Sequence, residues 1–165
     1  MNRLITFIFA PYIFALGIAL LSAASLAVAF TAQYAFDLAP CILCIYQRIP
    51  FVATLLLGLT AYKLSRQNHP RGALLMIALS GLAFLGNSAL AFYHVGVEQH
   101  WWVSAFEACA IDPTNIRKAA LNPPVPCDKI PWQLYGISMA GYNVLICGIA
   151  GVTCLIYSLI KKSKI

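Results

Sequence analysis

The stretch with the clearest chemical content runs from Pro40 to Arg48, with the sequence Pro-Cys-Ile-Leu-Cys-Ile-Tyr-Gln-Arg. It places two thiols three residues apart at the expected outer end of a membrane helix, and an arginine follows one turn later. Residues at i+3 and i+4 share a helix face, so Cys41, Cys44 and Arg48 are predicted to lie on one side. A helix N-terminus and a nearby guanidinium favour the reactive thiolate. An arginine inside an apolar segment is itself a candidate functional residue. The stretch therefore predicts redox chemistry.

A second cysteine pair, Cys109 and Cys127, is expected in an outer loop, where an oxidising compartment permits disulfides. Two pairs on one outer face can pass a disulfide along by thiol–disulfide exchange. The electrons then need an acceptor outside the thiol pool, and a lipid-soluble quinone next to Cys44 and Arg48 fits that role. Arg48 would stabilise the Cys44 thiolate and the negative charge that develops on the quinone.

Two other interpretations of the same residues stay open at this point. The outer cysteine pairs could be plain stabilising disulfides on an inert four-helix protein. Cys41, Cys44, His94 and His100 could also bind a metal ion, since cysteine and histidine are the ligands that zinc prefers. The neighbouring Arg48 opposes that second interpretation, because a cation beside a cation site is unfavourable, and we predict no metal site.

The composition defines the elements that must position these residues. The chain has 165 residues, of which 61% are hydrophobic and only 10% charged, with a mean hydropathy of +0.80. Soluble domains carry about 25% charged residues, and about 20 apolar residues cross a bilayer. Long uncharged runs therefore predict an all-α membrane protein, a bundle of four transmembrane helices. As one domain spanning 1–165, it has helices at about 12–34, 42–62, 73–94 and 137–160, outer loops at about 35–41 and 95–136, and an inner loop at about 63–72.

The charges predict the orientation of this bundle. Most lysines and arginines lie near the N-terminus, in the connection between the second and third helices, and near the C-terminus, which share one side of a four-span chain. An excess of Lys and Arg marks the cytoplasmic side, so both termini are expected there and the long second outer loop in the periplasm. Nucleic-acid binding is excluded, because the basic residues are scattered over short membrane-flanking segments. The first apolar run far exceeds the roughly 7–15 residues of a signal peptide core, which predicts an uncleaved helix.

Polar residues in the third helix fall on a single face, which is expected to point into the bundle. Asn87 fits a structural hydrogen bond between helices. His94 lies at the depth of the cysteine pair, and on this pattern alone it is interpreted as an interfacial histidine. The face consists of Ser80, Phe84, Asn87, Ala91 and His94. A stripe of small residues on the fourth helix predicts close helix packing, and it consists of Cys147, Gly151, Cys154 and Ser158.

The chain resembles the DsbB family of bacterial inner-membrane disulfide bond formation proteins in several motifs. Tyr46-Gln47-Arg48 after the CxxC pair resembles that family's quinone-site motif. The match extends over nearly the whole chain. Its other parts are Tyr93 to Glu98 with Trp101-Trp102, Cys127-Asp128, Pro131-Trp132 and Gly136 to Met139.

The resemblance implies a pathway through two disulfides, Cys41–Cys44 and Cys109–Cys127. A reduced periplasmic thioredoxin-like partner, DsbA in the family, would attack the loop disulfide and become joined to Cys109. Cys127 would then attack Cys41 and free Cys44 as a thiolate at a ubiquinone or menaquinone. The resemblance also implies that Arg48 and His94 lie beside that quinone. The four cysteines are thus the catalytic candidates, in a multi-pass protein of the bacterial inner membrane.

This sequence departs from the family pattern in two respects. Position 47 is Gln where some members carry Glu, so no acid at that position can deliver protons. Only 17 residues separate Cys109 from Cys127, which is shorter than in the best-known members. The alternatives are a relative with the same chemistry and a dedicated partner, and a non-catalytic tetraspan assembly protein. A vitamin K epoxide reductase-like enzyme ranks lower, because the chain has no second CxxC.

Overall fold

The computed structural model describes residues 10–106, 109 and 125–163. Four long helices make up most of this part of the chain. They are α1 (Pro11–Ala35), α2 (Ile42–Arg66), α3 (Pro70–Glu98) and α4 (Met139–Lys162). Each helix is long and apolar enough to cross a membrane, which confirms the predicted all-α bundle of four spans. Arg3, Lys164 and the central part of the predicted long loop lie outside the described residues.

The helices form a bundle in which α3 packs against both α2 and α4, while α1 packs mainly against α2. Two buried hydroxyls join α1 to α2, since Ser22 Oγ and Thr54 Oγ1 are 2.7 Å apart. The polar face expected on the third helix is buried as a set, and its members are Ser80, Phe84, Asn87, Ala91 and His94. Two of its polar side chains reach neighbouring helices, since Asn87 Nδ2 donates to Cys147 Sγ on α4 and His94 Nδ1 lies 3.1 Å from Gln47 Nε2 on α2.

Helix α3 begins earlier and ends later than the sequence indicates. Pro70 occupies its first turn, where the missing N–H removes no hydrogen bond. The helix continues past His94 to Glu98, and the chain then turns at His100, which has a φ of 58°. The added turn is held by Trp102, whose indole Nε1 donates to the carbonyl of Tyr93. The extension brings the carboxylate of Glu98 into the bundle.

A short hairpin leads into α4. Strand β1 (Gln133–Leu134) pairs antiparallel with β2 (Ile137–Ser138), with Gln133 opposite Ser138. The two connecting residues, Tyr135 and Gly136, have φ values of 51° and 77°. Positive φ at both positions is the geometry of a type I′ turn, which matches the twist of paired strands. Ser138 then caps α4, because its Oγ accepts from the N–H of Gly141.

Candidate functional site

Cys41 is the N-cap residue of α2, and it lies just before the membrane-spanning helix. Its backbone is extended, with φ −71° and ψ 169°, and its Sγ accepts from the N–H of Cys44 at 3.4 Å. Pro40 therefore precedes the cap and is not in the first turn. This places the Cys41 sulfur at the positive end of the helix dipole, where negative charge is stabilised.

The two sulfurs of the CxxC pair lie 3.0 Å apart, and both residues are free cysteines. A disulfide needs about 2.05 Å, so the structure holds the dithiol form, and the Cys41–Cys44 disulfide stays a prediction for the oxidised form. The pKa of Cys41 is lowered from 9.0 to about 4, chiefly because the S–H of Cys44 donates to its sulfur. Burial opposes this effect on the pKa, and His94 adds to it. These contacts favour the thiolate form at Cys41 over Cys44 in the reduced pair.

His94 reaches the cysteine pair from α3. Its Nε2 lies 3.5 Å from the Sγ of Cys41, and its Nδ1 lies 3.1 Å from the Nε2 of Gln47. Gln47 is bound on its other side by Asn143, whose Nδ2 donates to Oε1 at 2.7 Å. A line of hydrogen bonds therefore runs from α4 through α2 and α3 to the Cys41 sulfur.

Glu98 supplies a carboxylate next to the same histidine. Its Oε1 lies 3.8 Å from the Nε2 of His94, and its Oε2 accepts from Ser138 Oγ. Glu98 is only 6% exposed, so its charge is compensated by these partners and not by water. Through them the last turn of α3 is joined to the start of α4.

Arg48 points towards α1. Its guanidinium donates to Gln33 Oε1 at 2.7 Å and lies over the Phe30 ring, 4.9 Å from the ring centroid. Both partners lie on α1, so this helix fixes the position of the guanidinium. Arg48 and Cys44 of the cysteine pair line the same cavity.

That cavity has a volume of about 520 Å³ and lies between the four helices and the hairpin. Its wall is mostly apolar, and its polar side chains are Ser25, Cys44, Gln47, Arg48, His94, Glu98, Tyr142 and Asn143. Binding sites for small molecules typically combine this size with a few convergent polar groups. The arrangement can hold a flat apolar molecule against a thiol and a cation.

The second cysteine pair is joined as a disulfide, with an S–S distance of 2.02 Å between Cys109 and Cys127. Both cysteines belong to one buried apolar cluster with Cys41, Leu43 and Val97. The loop disulfide is therefore packed against the mouth of α2. The part of the chain that the structure describes brings all four candidate catalytic cysteines to one end of the bundle.

The four-residue metal set is not assembled. Ligand atoms of Cys41, Cys44 and His94 lie within 4.8 Å of one another. His100, however, has a largely exposed side chain and lies 3.9 Å from Asp128. A metal-binding histidine usually donates from its other ring nitrogen, whereas here an amide nitrogen of Gln47 faces that atom. These observations oppose a metal centre at the three remaining residues.

Four polar residues of this site were not among the predicted site residues, although Gln47 and Glu98 lie in the motifs that carry the family resemblance: Gln33, Gln47, Glu98 and Asn143. Glu98 carried a usable signal, as an acid in the last turn of an apolar span. The amides carried a weaker one, because an amide in a membrane helix also serves ordinary packing. Cys147 and Cys154 lie in the α3–α4 core, away from the cavity, with 0% and 2% exposure.

Comparison with known proteins gives a consistent family match. A sequence model described as "Disulfide bond formation protein DsbB" matches residues 11–157. A protein named disulfide bond formation protein B from Dechloromonas aromatica is 31% identical, covering 84% of this chain and 86% of its own. Its counterpart in Psychromonas ingrahamii is 27% identical, with 88% and 83% covered. Disulfide bond formation protein B 2 of Pseudomonas syringae is 33% identical, with 74% of each chain covered.

Proposed function

The chain belongs to the DsbB family, and from that premise we propose that it is a quinone-dependent protein disulfide oxidoreductase of the bacterial inner membrane. Its substrate is a periplasmic DsbA-like thiol oxidase, which it returns to the disulfide form. The observation that carries the proposal is the cavity that joins Cys44 to Arg48, beside a loop disulfide packed on Cys41. Relatives that bear the name disulfide bond formation protein B support the general activity.

The cavity residues fit a quinone. The wall is apolar enough for a ring system and a prenyl chain, while Arg48 offers donors for a carbonyl oxygen and His94 lines the same wall. Gln33 and Phe30 hold the guanidinium in place before any ligand arrives, which is the arrangement that stabilises developing charge best. When bound, ubiquinone or menaquinone would supply the acceptor for two electrons and two protons.

The exchange steps involve the four cysteines of this chain. A partner thiolate attacks the Cys109–Cys127 disulfide, forms a mixed disulfide with Cys109 and releases Cys127 as a thiolate. Cys127 then attacks Cys41 of the oxidised CxxC pair, which breaks Cys41–Cys44 and frees Cys44 as a thiolate beside the cavity. Each exchange forms one S–S bond and breaks one, so no electrons are gained or lost until the helix pair is reoxidised.

The second half of the cycle restores the loop disulfide. The partner's other thiolate attacks its mixed disulfide, leaves oxidised, and releases Cys109. Cys109 attacks the Cys127–Cys41 bond, re-forming Cys109–Cys127 and leaving the reduced helix pair. Arg48 stabilises the negative charge at the cavity side of this pair, and the N-cap position stabilises it at Cys41.

The experiment is quinone reduction by the purified protein with a reduced thioredoxin-like donor. We expect turnover in wild type and its loss in Cys44→Ser, with Cys154→Ser as the matched control for a buried thiol outside the site. Arg48→Gln should lower kcat/KM on the order of 10²-fold, as for loss of one oriented donor in an active site. Arg66→Gln, at the other end of α2, should leave it unchanged.

A non-catalytic tetraspan protein with a bracing loop disulfide predicts a different outcome. In that case no combination of donor, ubiquinone or menaquinone gives turnover, and Arg48→Gln has no effect on function. A relative with a dedicated partner predicts quinone reduction with its own thiol donor and none with a general one. Absence of turnover with several donors and both quinones would therefore contradict the proposed function.

A further inference from the structure

We propose that Gln47 and Asn143 are positioning residues that fix the single proton of neutral His94 on Nε2, facing Cys41 and Glu98. The proposal rests on the proposed function for its significance, because Cys41 is a thiol of that reaction. The evidence for it is the direction of the hydrogen bonds that connect Asn143, Gln47 and His94.

The hydrogen bonds of Asn143 on α4 determine how the Gln47 amide is oriented. Asn143 Oδ1 accepts from the S–H of Cys147 at 3.0 Å, and its Nδ2 donates to Gln47 Oε1 at 2.7 Å. The Cys147 sulfur in turn accepts from Asn87 Nδ2 at 3.4 Å. The oxygen and the nitrogen of the Asn143 amide are thus both engaged by neighbours, and the series of donors runs from Asn87 towards the site.

Gln47 makes the next hydrogen bond, to the imidazole of His94. Its Oε1 is engaged by Asn143, so its Nε2 is the atom that faces His94 Nδ1, at 3.1 Å. An amide nitrogen has only N–H donors, and a ring nitrogen that accepts one carries no proton. A neutral imidazole has one proton, which must then be on Nε2. Gln47 is 7% exposed and His94 is 3% exposed, so bulk water does not compete for these bonds.

The atoms around Nε2 suit a donor. Cys41 Sγ lies 3.5 Å away and accepts best as a thiolate, and Glu98 Oε1 lies 3.8 Å away. The other charged or titratable groups near this point are Cys44 on α2, whose sulfur lies 3.0 Å from that of Cys41, and Arg48, which is held by Gln33 on α1. From α4, Ser138 contributes a neutral hydroxyl to Glu98. An Nε2–H in this place stabilises negative charge on the Cys41 sulfur whenever exchange releases it.

The residue type at position 47 therefore determines which ring nitrogen is protonated. A glutamine can accept from Asn143 and donate to His94 at the same time. A glutamate carboxylate can only accept, so Nδ1 would have to carry a proton to pair with it. The substitution Gln47→Glu is then a switch of the His94 protonation pattern, with almost no change in side-chain shape.

The test is ring-¹⁵N NMR of histidine-labelled full-length protein in nanodiscs, over a pH series. The chain has three histidines, so His69→Gln and His100→Gln assign the His94 signals by elimination. We expect the neutral form of wild-type His94 to show a bare Nδ1 and a protonated Nε2. In Gln47→Glu the signal of the unprotonated nitrogen should leave Nδ1. Gln67→Glu makes the same change at an exposed position at the far end of α2 and should leave the His94 spectrum unaltered.

A second variant keeps the proposal testable if Gln47→Glu does not fold. Asn143→Leu removes the group that orients the glutamine amide, and His94 should then show both tautomers. A wild-type neutral form protonated on Nδ1 would overturn the proposal, and so would Gln47→Glu or Asn143→Leu spectra identical to wild type. The spectra need no turnover, so a tautomer as expected in a protein without quinone reduction would refute the proposed function alone.

Discussion

At the scale of single residues, several groups that stabilise negative charge surround the sulfur of Cys41. Its sulfur faces the N–H and the S–H of Cys44 and the imidazole of His94, while its own backbone caps α2. Cys44 has the complementary position, on the wall of the cavity with Arg48. The two thiols are therefore unequal: Cys41 is arranged to carry charge on the loop side, and Cys44 to meet whatever occupies the cavity.

The thiolate of Cys41 gives a prediction about pH. In the reduced protein its pKa is about 4, below the ordinary 9.0, because Cys44 donates to it. We expect the thiolate absorbance assigned to Cys41 to persist as the pH falls below neutrality and to disappear near pH 4. The ionised form stabilises the fold, so this contribution is complete above pH 9 and is lost as the pH falls through the folded pKa.

The measurement is an ultraviolet pH titration of Cys109→Ser/Cys127→Ser protein, with the same protein lacking Cys41 subtracted. Adding Cys44→Ala should move the midpoint up towards the ordinary value, because the leading donor is gone. Adding Cys154→Ala should not move it. A midpoint near 9 in the parent protein would contradict the assignment of the thiolate to Cys41.

The sequence predicts the reacting groups of the site better than the groups that position them. Two thiols and an arginine in an apolar segment are conspicuous by type and spacing. Gln33, Gln47 and Asn143 are not, because an amide matters here only through the helix it faces, and helix rotation is set by packing. Arg48 shows the same limit: its partner on α1 could be found only when α1 and α2 were placed side by side.

At the scale of elements, α3 and α4 approach each other closely where two glycines face each other. A Cβ built on Gly151 would lie 2.9 Å from the carbonyl oxygen of Gly81, and one on Gly81 would lie 3.0 Å from that of Gly151. Carbonyl oxygens of a helix cannot move aside. The predicted stripe of small residues on the fourth helix thus corresponds to a true backbone contact, although its partner Gly81 carried no signal in the sequence.

This contact predicts the effect of one added methyl group. Gly151→Ala should destabilise the protein by about 1–3 kcal/mol, the usual cost of overpacking. Gly86→Ala on the facing helix α3 is the matched control, since nothing lies within 4 Å of the added Cβ. Loss of backbone freedom should make that control neutral or more stable by up to about 1 kcal/mol. Thermal unfolding in detergent measures the stability of both variants. Equal Tm values for the two would contradict the close approach of α3 and α4.

Element number and type were predictable because membrane spans are encoded by long uncharged runs. The ends of the elements were not, because they depend on contacts from other parts of the chain. The last turn of α3 exists where Trp102 closes over Gly96 and Ser138 binds Glu98. The hairpin before α4 depends on two residues with positive φ, and Tyr135 gives no such signal by type.

At the scale of the whole molecule, the charges divide between the two ends of the bundle. The cysteine pairs lie at one end with Glu98 and Asp128, and most of the described lysines and arginines lie at the other, Arg48 and Lys129 excepted. Lys63 and Arg66 end α2, and Lys161 and Lys162 end α4. Such a division predicts a membrane orientation with this basic end in the cytoplasm.

This orientation predicts opposite labelling of two exposed positions. Val103, at the cysteine end, is 92% exposed, and Gln67 is exposed at the basic end. In a background without native cysteines, a membrane-impermeant maleimide added to spheroplasts should label Val103→Cys and should label Gln67→Cys only after lysis. The reverse pattern would show that the site faces the cytoplasm and would leave a periplasmic thiol donor without access.

The burial of the loop disulfide against α2 also bears on the order of the proposed reaction steps. Cys109 is 7% exposed and Cys127 is 1% exposed while they lie beside Cys41. Under the proposed function, a soluble thiol donor cannot reach a sulfur in that position, so we expect the pair to leave α2 to be reduced and to return to pass its electrons on. Donor and quinone would then react in separate half-reactions, and reciprocal plots of rate against donor concentration at several quinone concentrations should be parallel lines. Lines that intersect would mean that donor and quinone act on one shared complex.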